Sequence, residues 1–265
     1  MAIPKGKKEY EIYEFPISAI GFSYGDEELS LALSESVYYY AFDVEGENEL
    51  RKLFNGITLT DFNKDKIESV LSSSVPQTNW RVGEALATCY LTEHRGCYFP
   101  WPSSRDARTP KASLPGADLV GFQQDGDEVF FAFGEVKTSS EEQFPPGVIR
   151  GESGLTGQIQ KLFSDTDIQN TLICYIGYRV DGDNKILFKK AINNWINSKM
   201  KVFGFLVRDV QPTDKDFVFA VENLKKHPDI KEFNVELLSV YLPCKSINLL
   251  DNRIMKIKEG KMNER

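Results

Sequence analysis

Apolar and polar positions along the chain change their period several times, and each change marks an expected element. Over residues 80–91, WRVGEALATCYL, the apolar residues Val82, Ala85, Leu86, Cys89 and Tyr90 recur at helical spacing, with Glu84 beside the stripe. Residues 117–138, ADLVGFQQDGDEVFFAFGEVKT, hold two runs of strand-forming residues around a turn. GLTGQIQKLFSD (154–165) returns to helical spacing, with Leu155, Ile159 and Leu162 on one face.

Beyond it the pattern predicts a strand in TLICYIGYRV, a helix in KILFKKAINNWINSKM and a strand in KVFGFLVRDV. A helix in TDKDFVFAVENLKKH and a strand in FNVELLSVYLP follow. Strands alternating with helices predict an α/β fold, a mixed central sheet flanked by helices. Residues 9–75 alternate apolar segments with a helix near KDKIESVLSSSV and carry no catalytic signature. Residues 1–78 are therefore expected to be an N-terminal elaboration or subdomain, 79–250 the core, and 251–265 a loose basic tail.

The second strand of the hairpin ends by placing Glu135 and Lys137 where core residues belong. Burying them unpaired would cost several kcal/mol, comparable with the net stability of a domain. A two-residue turn at Asp125-Gly126 or Gly126-Asp127 sets Asp118 opposite Phe133 or Glu135. In either register Asp118, Glu135 and Lys137 share one face, because side chains alternate along a strand. Two adjacent carboxylates repel or share a proton, and a divalent cation bound by both relieves that repulsion. Hard oxygen ligands suit Mg²⁺ or Mn²⁺. Lys137 then stands ready to meet an anionic substrate or a water, a coherent set for phosphodiester hydrolysis. The bland alternative is an edge-strand ion pair between Glu135 and Lys137, worth little.

Asp118, a short hairpin and Glu135-Val136-Lys137 together resemble the core motif of the PD-(D/E)xK nuclease superfamily. Gly116-Ala117-Asp118 stands in place of the Pro-Asp pair. The resemblance implies a restriction-endonuclease-like core over residues 80–180, in the order helix, hairpin, ExK strand, helix, strand. It implies metal ligation by Asp118, Glu135 and the backbone carbonyl of Val136, with Lys137 assisting the attacking water. It also implies roles for Glu84 on the preceding helix, as a further metal ligand, and for Gln158 on the following one; a solvated surface side chain is the alternative for each. The longer phrase LPGADLVGF followed by GEVKTS resembles the nuclease subunit of the Hachiman class of bacterial anti-phage defence systems, which implies DNA as substrate and a large helicase partner that restrains cleavage.

The intervening loop, HRGCYFPWPSSRDARTPKASLPG, gathers Arg95, Arg105, Arg108 and Lys111 among Tyr98, Phe99 and Trp101. Basic and aromatic residues together suit phosphate contact and base stacking, but arginines paired to nearby carboxylates fit the same sequence. The net charge of −7 argues against a chain that grips long nucleic acid by bulk electrostatics, so contact must be local, metal-assisted or shared with a partner. No apolar run is long enough to cross a membrane and the first residues lack the apolar stretch of a signal peptide, so the expected compartment is the cytoplasm. Cys89, His94 and Cys97 lack the spacing of a zinc site, and His94 and His227 lack a triad-like setting. An RNA nuclease on the same fold, and a binding module that has lost chemistry, remain open.

Overall fold

The computed structural model describes residues 3–54, 61–72, 77–106 and 116–263. Among them are strands β1 (Lys7–Glu14), β2 (Ile17–Ser23), β3 (Cys97–Tyr98), β4 (Leu119–Asp125), β5 (Glu128–Ser139), β6 (Lys201–Arg208) and β7 (Asn234–Tyr241). They form one mixed seven-stranded sheet in the order β1-β2-β7-β6-β5-β4-β3. The four central strands β2, β7, β6 and β5 run parallel, and antiparallel pairs close both edges. The helices are α1 (Asp26–Ala32), α2 (Tyr38–Ala41), α3 (Val44–Phe54), α4 (Asp61–Ser72), α5 (Asn79–Arg95), α6 (Leu155–Ser164), α7 (Thr166–Gly177), α8 (Asn184–Ile196), α9 (Lys215–Leu224) and α10 (Leu250–Asn263). The expected α/β architecture is therefore present.

Two apolar cores lie on opposite faces of the sheet. On one, Ala132, Val136, Phe203 and Phe205 meet α1, α5 and α10; on the other, Phe131, Phe133, Val202 and Leu206 meet α6 to α9. Strand β5 is buried almost without interruption, as a central strand covered on both faces must be. Its hairpin with β4 closes through Gly126 and Asp127, pairing Asp125 with Glu128 and Leu119 with Gly134. Gly126 has φ +60°, the positive angle that the leading residue of such a tight turn requires. Of the two expected registers, the one that sets Asp118 opposite Glu135 is adopted.

Three expectations are corrected. TLICYIGYRV lies mostly in helix α7, not in a strand. Leu172, Ile173 and Ile176 form its buried stripe, and the Asp165 carboxylate caps it by accepting the Asp167 and Ile168 N–H groups. β-branched and aromatic composition imitates a strand there, and the helical spacing of the buried residues decides. The strand that follows α6 is consequently β6, after two further helices. Over its described residues the basic tail is not loose: it is helix α10, whose Leu250 and Ile254 enter the core beside α5, with Ile257 packed against it. Its lysines occupy the other positions of an amphipathic helix. Finally, the N-terminal third does not stand apart as a subdomain. β2 pairs in parallel with β7, and α1 shares one core with α5 and α10.

Candidate active site

The ladder between β4 and β5 ends at Leu119 and Gly134, one residue short of Asp118 and Glu135. From there β5 continues to Ser139, paired only with β6. Asp118 covers the exposed edge itself: its Oδ2 accepts the Val136 backbone N–H at 2.8 Å, replacing the ladder bond that β4 no longer supplies. Glu135 is buried and Lys137 half-buried, and the Lys137 ammonium donates to Glu135 Oε1 at 2.6 Å.

Glu84 arrives from α5. At Gly83 any side chain would collide with Thr138 Oγ1 on β5, so glycine lets the helix approach the strand closely and carries the neighbouring Glu84 down to the carboxylates. Burial pushes the Glu84 carboxyl up to about 8, and the charges of Asp118 and Glu135 push the same way, against Arg81 and Lys137. Burial and the Asp118 charge push Glu135 up to about 7 despite Lys137. Asp118 is raised too, chiefly by burial, with the Val136 N–H and Lys137 opposing. The Asp118 charge thus disfavours the ionised forms of Glu84 and Glu135, and Asp118 and Glu135 stand close enough to share a proton.

Such a donor set is chemically suited to a hard divalent cation, which would relieve the mutual repulsion. Among the described residues no three His, Cys, Asp or Glu side chains form a group that could hold a metal ion as they stand. At Glu135, Oε1 is taken by the Lys137 ammonium. A cation held by Glu135 through that oxygen requires Lys137 to turn aside.

Gln158 lies on α6 between Leu155 and Ile159, both buried against β6 at Gly204. Its amide donates to the Glu152 carbonyl at 2.9 Å, so in this arrangement it fastens the loop before α6. The basic loop disperses. Arg95, at the far end of α5 and about 16 Å along the axis from Glu84, pairs with Glu236 on β7 and donates to the His94 carbonyl at 3.0 Å. Arg105 grips both oxygens of Asp43, at 2.6 and 2.7 Å. Arg108 and Lys111 lie outside the described residues. Of the loop aromatics, Trp101 donates its indole N–H to Tyr175 Oη at 2.7 Å. His94 bonds the Ile3 carbonyl and packs on Tyr90, while His227 packs on Phe163, the structural settings expected of them.

Sequence reasoning passed over Arg81. It stands one helical turn before Glu84 on the same face, and it opposes the rise of that carboxyl. Arg81 and Glu84 line one small cavity of about 20 Å³ together with Tyr40 and Pro102, room for about one water. The i, i+3 spacing of Arg and Glu was the available signal. No protein-family model and no curated protein matches the chain.

Proposed function

We propose that the chain is a metal-dependent nuclease that hydrolyses DNA phosphodiester bonds. The observation that carries this reading is the convergence of Glu84, Asp118 and Glu135, from α5, the residue before β4 and the C-terminal half of β5, with Lys137 at hydrogen-bond distance from Glu135. Against Arg81 and Lys137 this cluster carries an excess of carboxyls, which protons or an added cation would relieve. Asp118, Glu135 and Glu84, with the Val136 carbonyl, would hold Mg²⁺ or Mn²⁺, which supplies Lewis-acid stabilisation of a phosphoryl oxygen and a water of lowered pKa. Lys137, released from Glu135, orients the attacking water or meets the phosphate oxygen. Gln158 requires release from the Glu152 carbonyl before it takes part.

The resemblance of LPGADLVGF and GEVKTS to the Hachiman nuclease subunit extends the proposal to an effector of a bacterial anti-phage complex, held in check by a helicase. The acidic net charge of −7 suits a subunit whose partner grips the DNA. Incubation of the purified chain with DNA and with RNA, each with and without Mg²⁺ or Mn²⁺, tests the reading. DNA cleavage that needs the metal is expected, together with its loss, by at least about a thousandfold, in a Glu135→Ala, Lys137→Ala double variant that retains its fold. A double variant that still degrades DNA with Mg²⁺ overturns the site, and cleavage confined to RNA moves the substrate to RNA, which the same carboxylates would serve because they do not read the sugar.

A further inference from the structure

The first turn of α5 carries an exposed aromatic and a cation beside the carboxylates. Trp80 is 45% exposed, and the guanidinium of Arg81 lies 4.7 Å from the centre of its ring. Trp80 and Glu84 stand at i and i+4 and share one face of the helix one turn apart; Arg81 leaves the helix about 100° round from Trp80, and its side chain reaches back to the Trp80 ring. Within about 6 Å of helix axis the helix thus carries a flat apolar ring with a positive charge against it and a half-buried carboxyl. The guanidinium stacked on its neighbour is held in place before any ligand arrives, which lessens the entropy lost on binding.

The ground on the other side of the carboxylates is unsuited to a phosphate chain. A cleft of about 710 Å³ opens between α3, α5 and residues 98–102, and its rim carries Glu45, Glu49 and Glu93 against Lys52. Anionic backbone is repelled from that cleft. Arg95 and Arg105, the two described cations of the basic loop, are spent on Glu236 and Asp43.

Resting on the nuclease reading above, we propose that Trp80 and Arg81 form the substrate-contact platform of this site: Arg81 takes a backbone phosphate next to the scissile one, and Trp80 stacks an unpaired base beside it. The substrate class that follows is a single-stranded or frayed nucleic-acid strand, because a base inside an intact duplex has no free face to offer the indole.

The test uses the full chain carrying Glu135→Gln, so that the strand stays uncut, and a fluorescein-labelled single-stranded deoxyoligonucleotide followed by anisotropy over a range of salt concentrations. Adding Trp80→Ala is expected to weaken binding about tenfold, and Trp80→Phe to restore most of it. Arg81→Gln is expected to lower the slope of log affinity against log salt by about 0.7, whereas Arg81→Lys keeps the slope. The matching duplex binds more weakly and is indifferent to Trp80. In the cleavage-competent chain, Trp80→Ala raises KM for the single strand more than it lowers kcat. Trp80 lies at the helix surface, so the unfolding midpoint of Trp80→Ala should match the parent; Arg81 is half-buried beside Glu84, and Arg81→Lys, which keeps the charge there, serves as its control. Parallel titration of an RNA strand keeps the platform in place if the same losses appear there. Unchanged affinity and slope in Trp80→Ala and Arg81→Gln, in a protein whose parent cuts DNA, overturn the platform and leave the nuclease reading standing. A parent that neither cuts nor binds any strand overturns both.

Discussion

Strands β5 and β6 lie side by side, and each buries a cluster of charges toward its C-terminal end, built on opposite plans. On β6, Arg208 is wholly buried. Its Nε donates to Asp216 at 3.2 Å and its two terminal nitrogens donate to the Ser139 and Gln143 carbonyls, while Tyr241 Oη donates to the same Asp216 oxygen at 2.8 Å. One cation meets one anion there, and every donor group of the guanidinium has an acceptor. On β5, Glu135 meets Asp118 and Glu84, with Lys137 and Arg81 too few to balance them. A buried cluster whose charges close on themselves organises chain; one left with an excess of a single sign is incomplete until something from outside arrives. The contrast separates a balanced use of buried charge from the unbalanced one on which the proposed function rests more sharply than burial alone.

The first way to break this contrast is to remove Arg208. In Arg208→Ala the Asp216 carboxylate is left buried without its cation and the Ser139 and Gln143 carbonyls lose their donors. The expected cost is about 3–5 kcal/mol, read as a fall in the urea unfolding midpoint. Glu135→Gln removes a charge from the overcrowded cluster and at pH 8 should leave stability unchanged or improve it. A loss for Glu135→Gln as large as that for Arg208→Ala would mean that both clusters are structural.

Acidity gives the next largest effect. Glu135 and Glu84 have folded pKa values raised to about 7 and about 8 from an ordinary 4.5, so the folded chain binds their protons more tightly than the unfolded chain does. The stability each contributes is fully present below pH 4.5 and is lost as pH rises through 7 to 8. Without metal, the stability of the parent relative to Glu135→Gln should therefore fall by roughly 2–3 kcal/mol between pH 5 and pH 8. Added Mg²⁺ should recover part of that loss at pH 8 and have little effect at pH 5, where protons occupy the carboxyls. Unfolding curves at the two pH values, with and without Mg²⁺, check it, and a difference that stays flat with pH would place Glu135 among ordinary balanced groups.

The unbalanced cluster on β5, the proposed catalytic one, was more legible in the sequence than the balanced one on β6, for a physical reason. Asp118, Glu135 and Lys137 are tied together by a two-residue turn, and alternation along two strands suffices to put them on one face. Glu84 is fixed by the helical stripe of α5, although the glycine beside it, which permits the approach to Thr138, reveals its purpose only in contact. The Arg208 cluster draws on Ser139, Asp216 and Tyr241, separated along the chain by whole elements, and no local period announces it. For the same reason the pairing partners of the basic loop were not legible: Arg105 finds Asp43 62 positions away and Arg95 finds Glu236 141 positions away. The capping of Val136 by Asp118 depends on where β4 stops, which a propensity does not encode to the residue. TLICYIGYRV was misread because short apolar runs serve strands and buried helices equally.

The smallest expected effect tests whether the two clusters are independent. Tyr241 Oη donates toward both the Thr213 carbonyl and Asp216 Oδ2, each at 2.8 Å, and lies 3.4 Å from Tyr10 Oη. Tyr241→Phe keeps the ring in the core and leaves Arg208 as the donor to Asp216 Oδ2. The Asp216 carboxyl, already raised by burial and held down in part by the Tyr241 hydroxyl, rises further. One hydrogen bond to a charged group is lost, at a cost of about 1–2 kcal/mol. Arg208 still holds the Ser139 and Gln143 carbonyls, so β5 keeps its end fixed and Lys137 its place. DNA cleavage should then match the parent while the unfolding midpoint falls. The opposite result, a tenfold loss of cleavage at unchanged stability, would mean that the β6 network reaches the carboxylates through Ser139, and the two clusters would have to be treated as one.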